Sequence, residues 1–392
     1  SRPCPCSRPC PCSRPRPRPP MPGLYLHIPF CKKACTYCDF HFSTSARGRE
    51  AVLDAMEKEL IQRAREIGDA PVDTVYFGGG TPSLLEPARI ASFLQLARDL
   101  LRVRPDAEIT LEANPDDVTA ERLAQWKAMG ITRLSLGTQS FRADRLAWMG
   151  RAHTAEQARQ SIALIANARF SSWTIDLIYG LPGMDLAEWD EQLTIALDHG
   201  MPHLSAYALT VEPRTALAHQ VKHGTVVPGD DEAVSAQFDH LMARMKAAGL
   251  VHYEISNFGL PGHFSRHNSS YWEGVPYLGI GPSAHSFSGT TRRWNVAHNA
   301  RYAAAVEKGG PFSETESLTP VQRTNEQLLT GLRTHRGVQL DALPVDIRPR
   351  NEQRIVHYVA QGLAHLEGGR LVLTERGRHF ADRIAMELFA EA

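Results

Sequence analysis

The sequence predicts an α/β fold, in which a partial (βα)6 TIM-like barrel is followed by a smaller, mainly α, winged-helix-like domain. Six short runs rich in β-branched and aromatic residues alternate with amphipathic stretches, as in the βα units of a parallel sheet. Glycines and polar side chains follow several of these runs, where barrels carry their functional loops. The six predicted strands span residues 24–28, 74–77, 108–112, 133–136, 174–178 and 203–207.

Five helices are predicted between these strands, at residues 49–67, 87–101, 119–129, 154–168 and 186–199. Several of them open with Pro or Thr and close near Gly, which are common helix start and stop signals. Parallel strands joined by such helices have their carboxyl ends at one edge of the sheet. The segments that follow strands two to five are therefore expected at one mouth, and they start near Gly78, Glu112, Gly137 and Asp176.

The βα pattern fades after residue 207. A helix is predicted at 231–248, followed by an aromatic, glycine-rich segment at 252–294. The C-terminal part shows helices near 320–333 and 352–367, a strand at 370–373 and a final helix from 375, an order typical of winged-helix domains. The predicted division is a tail at 1–20, the barrel at 21–230, an extension at 231–310 and a C-terminal helical domain at 311–392.

Composition gives no sign of a nucleic-acid or membrane protein. The 392 residues include 43 Lys and Arg against 43 Asp and Glu, a formal net charge of zero. Nothing in that balance points to a polyanionic partner. No apolar run reaches the roughly 18 residues that a membrane span needs, so no span is predicted.

The first twenty residues are a low-complexity repeat of Ser, Arg, Pro and Cys. Their Pro density excludes helix and central strand, so this tail is expected to be disordered. Met21 follows the tail directly and is expected to be the working start of the protein. The remaining cysteines form no paired framework, which suits a reducing cytoplasm, the predicted location.

Cys31, Cys35 and Cys38 form a CxxxCxxC spacing shortly after the first predicted strand. Iron–sulfur clusters are usually held by four Cys thiolates, so three would leave one iron of a [4Fe–4S] cluster open to another ligand. A zinc site is the alternative, with His27 or His41 completing a Cys3His set. The spacing alone leaves both interpretations open.

Six motifs in order carry a resemblance to a known family: HIPF with CxxxCxxC, GGGTP, LEANP, LSLGTQSF, DLIYGLP and RHNSSYW. Together they resemble the radical S-adenosylmethionine (SAM) proteins related to oxygen-independent coproporphyrinogen III oxidase, and within them the HemW-type heme chaperones. The similarity runs from Gly23 to the C-terminus. It implies that the barrel is a radical SAM barrel, and it favours the cluster over zinc.

In that superfamily SAM chelates the open iron, and its reductive cleavage yields a 5′-deoxyadenosyl radical. The resemblance implies that Gly79, Gly80 and Thr81 bind the methionine part of SAM, through backbone groups that a missing side chain leaves accessible. It also places Tyr37 against the adenine. The other positions that it implies are Tyr25, near the cluster, and the cofactor-contacting residues Glu112, Gln139, Arg151 and Asp176. A buried ion-pair network among the charged residues is the structural alternative.

Two features separate this chain from the oxidase branch of the family. The oxidase motif continues as CxxxCxxCxC, whereas this chain has Phe40 at the position of the last cysteine. Residues 267–272, HNSSYW, match the HNxxYW signature of the heme-chaperone branch. Imidazole is a common axial ligand of heme iron, so His267 is the predicted heme ligand. The alternative is a packed, hydrogen-bonded histidine.

The resemblance therefore implies a cytoplasmic heme carrier with a [4Fe–4S] cluster and SAM as its exchangeable ligand. The expected partners are heme and an acceptor hemoprotein, for which a membrane-bound respiratory protein is one candidate. A homodimer is one candidate assembly. The alternative function is oxygen-independent coproporphyrinogen III oxidation, a radical SAM decarboxylation.

We expect Cys31→Ser, and equally the Cys35 or Cys38 equivalent, to abolish the cluster, because each thiolate would hold a different iron. Iron and sulfide assays of the anaerobically reconstituted protein measure the loss. Full iron and sulfide in the Cys31 variant would contradict the assignment.

Overall fold

The computed structural model of the protein describes residues 21–391. The disorder expected for residues 1–20 concerns residues outside this range. In the described part of the chain, no helix combines the length and the apolar character that crossing a bilayer requires.

Six parallel strands form the barrel and confirm the predicted ones, each of which lies inside an observed strand. Neighbours in sequence are neighbours in the sheet, and every pair is parallel. The strands are β1 (Gly23–Ile28), β2 (Val72–Gly79), β3 (Val103–Ala113), β4 (Arg133–Gln139), β5 (Ser172–Tyr179) and β6 (His203–Ala208).

The predicted helices between the strands are also confirmed, and a short sixth helix, α4, was not predicted. Thr119 and Thr154 cap α3 and α5, and Gln157 completes a capping box with Thr154, which satisfies amide groups left free in the first turn. Residues 64–67 form a 3-10 turn after α1. The helices are α1 (Arg49–Arg63), α2 (Pro87–Leu100), α3 (Ala120–Met129), α4 (Ala143–Trp148), α5 (Ala155–Ala168) and α6 (Leu186–Asp198).

The strand register brings the carboxyl ends of the strands to a common mouth. β1 ends with Ile28 opposite Gly79, and β5 ends with Tyr179 opposite Ala208. Apolar side chains of all six strands contribute to one buried core with the surrounding helices. The loops that carry the predicted functional residues therefore meet at one end of the barrel.

The sheet has twelve strands in the described residues, six more than the sequence predicted. β8 and β7 continue it beyond β6, and β9 to β12 continue it beyond β1, with β9 parallel to β1. These strands have only three to five residues each, so they carry little periodicity of their own. They are β7 (Val251–Glu254), β8 (Asn257–Gly259), β9 (Tyr277–Ile280), β10 (His285–Phe287), β11 (Thr291–Asn295) and β12 (Ser313–Ser317). The helices of this region are α7 (Ala216–Lys222), α8 (Asp231–Ala247), α9 (Arg266–Trp272) and α10 (Asn299–Lys308).

The C-terminal part has its own sheet and its own hydrophobic core. The predicted helix over 352–367 is wrong in its second half: the chain leaves the helix at Ala360, turns through Gly362 with φ 68°, and becomes a strand. The single final helix predicted from residue 375 is observed as two short helices. The elements are α11 (Pro320–Leu332), β13 (Val338–Gln339), α12 (Arg348–Ala360), β14 (Ala364–Glu367), β15 (Arg370–Leu373), α13 (Glu375–Arg378) and α14 (Ala381–Glu387).

A buried carboxylate joins α1 to the added strands and to α10. Glu59 is fully buried and accepts hydrogen bonds from Arg63 Nη1 at 2.6 Å and from Asn295 Nδ2 at 2.8 Å. Its other oxygen accepts from the Gly281 amide at 2.8 Å and from Tyr302 Oη at 2.5 Å. All four donors would lose this shared acceptor if the carboxylate were removed.

We expect Glu59→Ala to lower the free energy of unfolding by about 3–5 kcal/mol, because it breaks a buried ion pair with Arg63, which keeps only the partly exposed Glu66 as a charge partner, and removes the acceptor of three further donors. Urea denaturation followed by circular dichroism measures the change. Glu307→Ala is the matched control, since Glu307 is 63% exposed and, among the described residues, pairs with Lys58 alone. Equal stability of the two variants would contradict the structural role of Glu59.

Candidate functional site

A cavity of about 390 Å³ opens at the mouth of the barrel. It is enclosed by the loop after β1 and by the ends of the following strands. Most of the sequence-predicted site residues line it: Cys31, Cys35, Tyr37, Cys38, Gly79, Gly80, Thr81, Glu112, Gln139, Arg151 and Asp176. The two exceptions are Tyr25 and His267, which lie outside the lining.

Backbone hydrogen bonds fix the loop that carries the three cysteines. The amides of Gly80 and Thr81 donate to the carbonyls of Ile28 and Phe30, each at 2.8 Å. A Cβ at Gly80 would lie 2.7 Å from the Phe30 carbonyl oxygen, so only glycine permits this approach. Thr81 Oγ1 lies 3.6 Å from Cys31 Sγ. The glycine motif therefore supports the cysteine loop as well as bordering the cavity.

Arg151 ties the same loop to the ends of β3 and β4. Its Nη1 donates to Cys35 Sγ at 3.3 Å, and its Nη2 donates to Asn114 Oδ1 at 2.6 Å and to the Gly137 carbonyl at 2.8 Å. Burial lowers the pKa of Arg151, but nearby Tyr37 and Cys35 outweigh it and leave the pKa raised. The buried Nε has no hydrogen-bond partner among the described residues, so a donor remains for a bound ligand.

Asn114 is a site residue that the sequence interpretation did not single out. Besides accepting from Arg151, its Nδ2 donates to Thr81 Oγ1 at 3.3 Å. It directly follows β3 in the LEANP motif, so its position at a strand end was the signal that could have identified it.

Two carboxyl groups lie on the inner wall of the cavity. Glu112 accepts from Tyr76 Oη at 2.8 Å and from the Gly79 amide at 3.1 Å. Asp176 accepts from Ser135 Oγ at 3.2 Å. Burial raises the pKa of Glu112 to about 7 and that of Asp176 to about 6. These acids are therefore poised to change charge near neutral pH, and the hydrogen bonds that Arg151 forms go to Cys35, Asn114 and Gly137 rather than to them.

Gln139 stands in a left-handed backbone conformation, with φ 64°. That conformation is costly for a residue with a side chain. It coincides with a register irregularity between β4 and β5, at the cavity wall. The irregularity turns the chain at the end of β4, where the Gln139 amide borders the cavity.

The histidines of the zinc alternative are engaged elsewhere. His27 Nε2 lies 2.9 Å from the His41 carbonyl oxygen, and its Nδ1 lies 3.1 Å from Tyr25 Oη. His41 Nε2 lies 2.7 Å from Asn299 Oδ1. Among the described residues, no group of three or more His, Cys, Asp or Glu side chains is placed to hold a single metal ion, which disfavours a Cys3His zinc site. Burial raises the pKa of the Cys38 thiol to about 11, so metal binding would have to displace its proton.

The structure places His267 at the other end of the barrel. Its Nδ1 lies 2.7 Å from Oγ1 of Thr74, which pairs with Gly23 at the start of β1. Its Nε2 lies 2.8 Å from Tyr271 Oη. The side chain is 1% exposed, and burial lowers its pKa to about 3. Both ring nitrogens are thus occupied, so heme ligation by His267 requires the opening of α9.

Comparison with known proteins assigns the family. Residues 25–194 match the sequence model of the Radical SAM superfamily, and residues 318–380 match the HemN C-terminal domain. The heme chaperone HemW of Mycobacterium tuberculosis (strain ATCC 25618 / H37Rv) is 39% identical over 378 residues, covering 94% of this chain and 96% of the relative. The chain belongs to the HemW family of heme chaperones.

Further relatives agree with membership in the HemW family. HemW of Bacillus subtilis (strain 168) is 34% identical over 321 residues, covering 81% of this chain and 85% of the relative. Among solved structures, coproporphyrinogen III oxidase (HemN) from Escherichia coli aligns with a TM-score of 0.81 over 95% of this chain and 92% of that chain, at 23% identity. This likeness confirms the predicted fold class.

We expect the affinity of the cluster-loaded protein for SAM to rise several-fold from about pH 6 to pH 8. The pKa of Glu112 near 7 means that its carboxyl ionises in this range, and an ionised carboxylate attracts the positive sulfonium. Isothermal titration calorimetry measures the dependence. Glu112→Gln should flatten most of it, whereas Glu121→Gln, on the exposed start of α3, should retain it. The same slope in both variants would contradict the role of Glu112.

Proposed function

We propose that the protein is a heme carrier that binds one heme and delivers it to an acceptor hemoprotein. The observation that carries this proposal is the 39% identity to a heme chaperone over 94% of the chain. A match of this extent spans both the barrel and the C-terminal domain. It therefore concerns the whole protein rather than the cofactor-binding half that many radical SAM proteins share.

The mouth of the barrel suits a [4Fe–4S] cluster with SAM as its exchangeable ligand. Cys31, Cys35 and Cys38 would hold three irons, and the backbone of residues 79–81 would approach the methionine part of SAM. When bound, this pair supplies one-electron chemistry. Arg151 holds the cysteine loop in place, and its buried Nε has no partner among residues 21–391, which supports a polar ligand beside it.

The hydroxyls of a nucleoside ligand would meet the acids of the inner wall. Glu112 and Asp176 offer acceptor oxygens, and the Gln139 amide offers both donor and acceptor atoms. Tyr37 lines the same cavity between the cysteines, where its ring could pack on the adenine. Tyr25 lies behind the inner wall of the cavity, where its ring is beside Gly78 and its hydroxyl contacts His27.

Phe40 favours the heme-carrier function over the decarboxylation of coproporphyrinogen III. Its side chain is 67% exposed and borders the cavity, at the position where the oxidase motif has a further cysteine. A phenyl ring neither binds metal nor transfers protons, whereas it adds apolar surface at the mouth. The oxidase reaction is the second candidate function, because the fold aligns with HemN along nearly the whole chain.

Other sequence-based expectations stay predictions. They include His267 as a heme ligand, a homodimer, a cytoplasmic location and a membrane-bound respiratory acceptor. The division at residues 230 and 310 also stays a prediction. The strands at 251–317 add to both ends of the barrel sheet, while the C-terminal core is separate.

Anaerobic incubation with reductant, SAM and coproporphyrinogen III separates the two candidate functions. We expect no protoporphyrinogen from the reconstituted protein, and one heme bound per chain when hemin is supplied, because the site lacks the further cysteine of the oxidase. Escherichia coli HemN is the positive control. Multiple turnover of coproporphyrinogen III would contradict the carrier function and support the oxidase.

A further inference from the structure

A second cleft, of about 720 Å³, lies between the β10–β11 hairpin and α10. We call it the α10 cleft. Its apolar wall includes Val296, Ala304 and Phe312, and Trp294 on β11 also borders it. Its size falls in the range typical of small-molecule sites. It does not share a lining residue with the cysteine cavity.

His285 stands on one side of this cleft with an available imidazole. It pairs across the hairpin with Trp294, and the two rings stack with centroids 6.4 Å apart. The side chain is exposed, and neither ring nitrogen has a hydrogen bond within residues 21–391. Partial burial and nearby Arg292 lower the pKa of His285, which favours the neutral form that binds metals.

Two cations face the same cleft from α10. Arg301 and Lys308 are seven residues apart, so they share one face of the helix, and both border the cleft. In the described part of the chain, neither side chain forms an ion pair. Glu314 is the acidic residue that borders the cleft, so positive charge is in excess there.

The helix that forms the cleft also contacts the cysteine loop. Oδ1 of Asn299, the first residue of α10, lies 2.7 Å from Nε2 of His41. His41 follows Cys38 by three positions in the sequence. The Glu59 carboxylate anchors Tyr302, one turn further along the helix. The cleft is therefore a firmly held surface adjacent to the cluster loop.

We propose that the α10 cleft binds heme, with His285 as an axial ligand to the iron. Trp294 and the apolar wall would pack on the macrocycle, and Arg301 and Lys308 would pair with the two propionates. This inference rests on the proposed heme-carrier function and locates the heme. It assigns ligation to the exposed imidazole of His285, whose ring nitrogens have no hydrogen bond within residues 21–391, instead of to the buried His267.

A histidine cleft in the C-terminal domain provides a matched comparison. His357 borders a cavity of about 640 Å³ together with Arg354, Arg376 and Arg383. Each of these cations already has a partner, in Asn351 Oδ1, the Gln361 carbonyl and Glu387 respectively. The guanidinium donors of that cleft are already engaged within the C-terminal domain, whereas Arg301 and Lys308 form no ion pair among residues 21–391, so His357 serves as the control.

Hemin titration of the full-length, cluster-loaded protein, followed by Soret absorbance, tests the proposal. We expect His285→Ala to weaken hemin binding at least tenfold, with iron–sulfur content unchanged and with the Soret band restored by added imidazole. His357→Ala should bind as the wild type does. Wild-type affinity in His285→Ala would overturn the proposal. Loss of heme in His267→Ala alone, with the cluster intact, would overturn it in favour of the HNxxYW histidine.

The propionate contacts are tested separately, by removing the charge on the ligand. Arg301→Ala combined with Lys308→Ala should weaken binding of hemin several-fold but leave binding of hemin dimethyl ester unchanged. An equal effect on both ligands, or no effect on either, would overturn the assignment of the cations. A wild-type protein that binds no hemin would overturn the carrier function together with this site, whereas failure of the variants alone would overturn only the site.

Discussion

The hydrogen bonds of the Arg151 guanidinium hold the mouth of the barrel together. One nitrogen contacts a cysteine sulfur, and another contacts the ends of two neighbouring strands through Asn114 and Gly137. The three thiols come from a loop that has little regular structure of its own, so their placement depends on such contacts with the rigid sheet. The Gly80 amide, which donates to the Ile28 carbonyl, and the close packing of Gly80 on the Phe30 carbonyl complete the attachment. The site is preorganised because a parallel sheet supplies the partners at one edge.

The sequence was sufficient to predict what depends on local patterns. Strands β1 to β6 were predicted because each is a compact apolar run between amphipathic helices, and the parallel arrangement then placed Glu112, Gln139 and Asp176 at one mouth. Strands β7 to β12 were not, since each has three to five residues and its partners lie far away in sequence. β9 pairs with β1, more than 240 positions earlier. The same limit explains why Glu59 was missed, since its importance comes from tertiary partners.

The two histidines proposed for heme show how a motif and its environment can disagree. His267 belongs to a recognisable signature, yet its buried ring is held by Thr74 and Tyr271 on both sides. His285 belongs to none of the six motifs, yet its exposed ring borders a cleft with two cations that form no ion pair in the described part of the chain. Ligation needs a free nitrogen and room for the macrocycle, and neither property can be read from the spacing of residues. The burial and hydrogen bonding of His267 therefore move the proposed axial ligand to His285. The choice of heme as the bound molecule comes from the similarity to heme chaperones.

The central claim is that this radical SAM protein binds heme and transfers it to an acceptor hemoprotein. The most direct measurement is stopped-flow absorbance after mixing the heme-loaded, cluster-loaded protein with a heme-free b-type cytochrome. A carrier should load the cytochrome to completion, with a rate that increases with acceptor concentration, because transfer occurs within a complex of the two proteins. A rate that is independent of the acceptor and equal to simple heme dissociation, or retention of the heme, would contradict the claim.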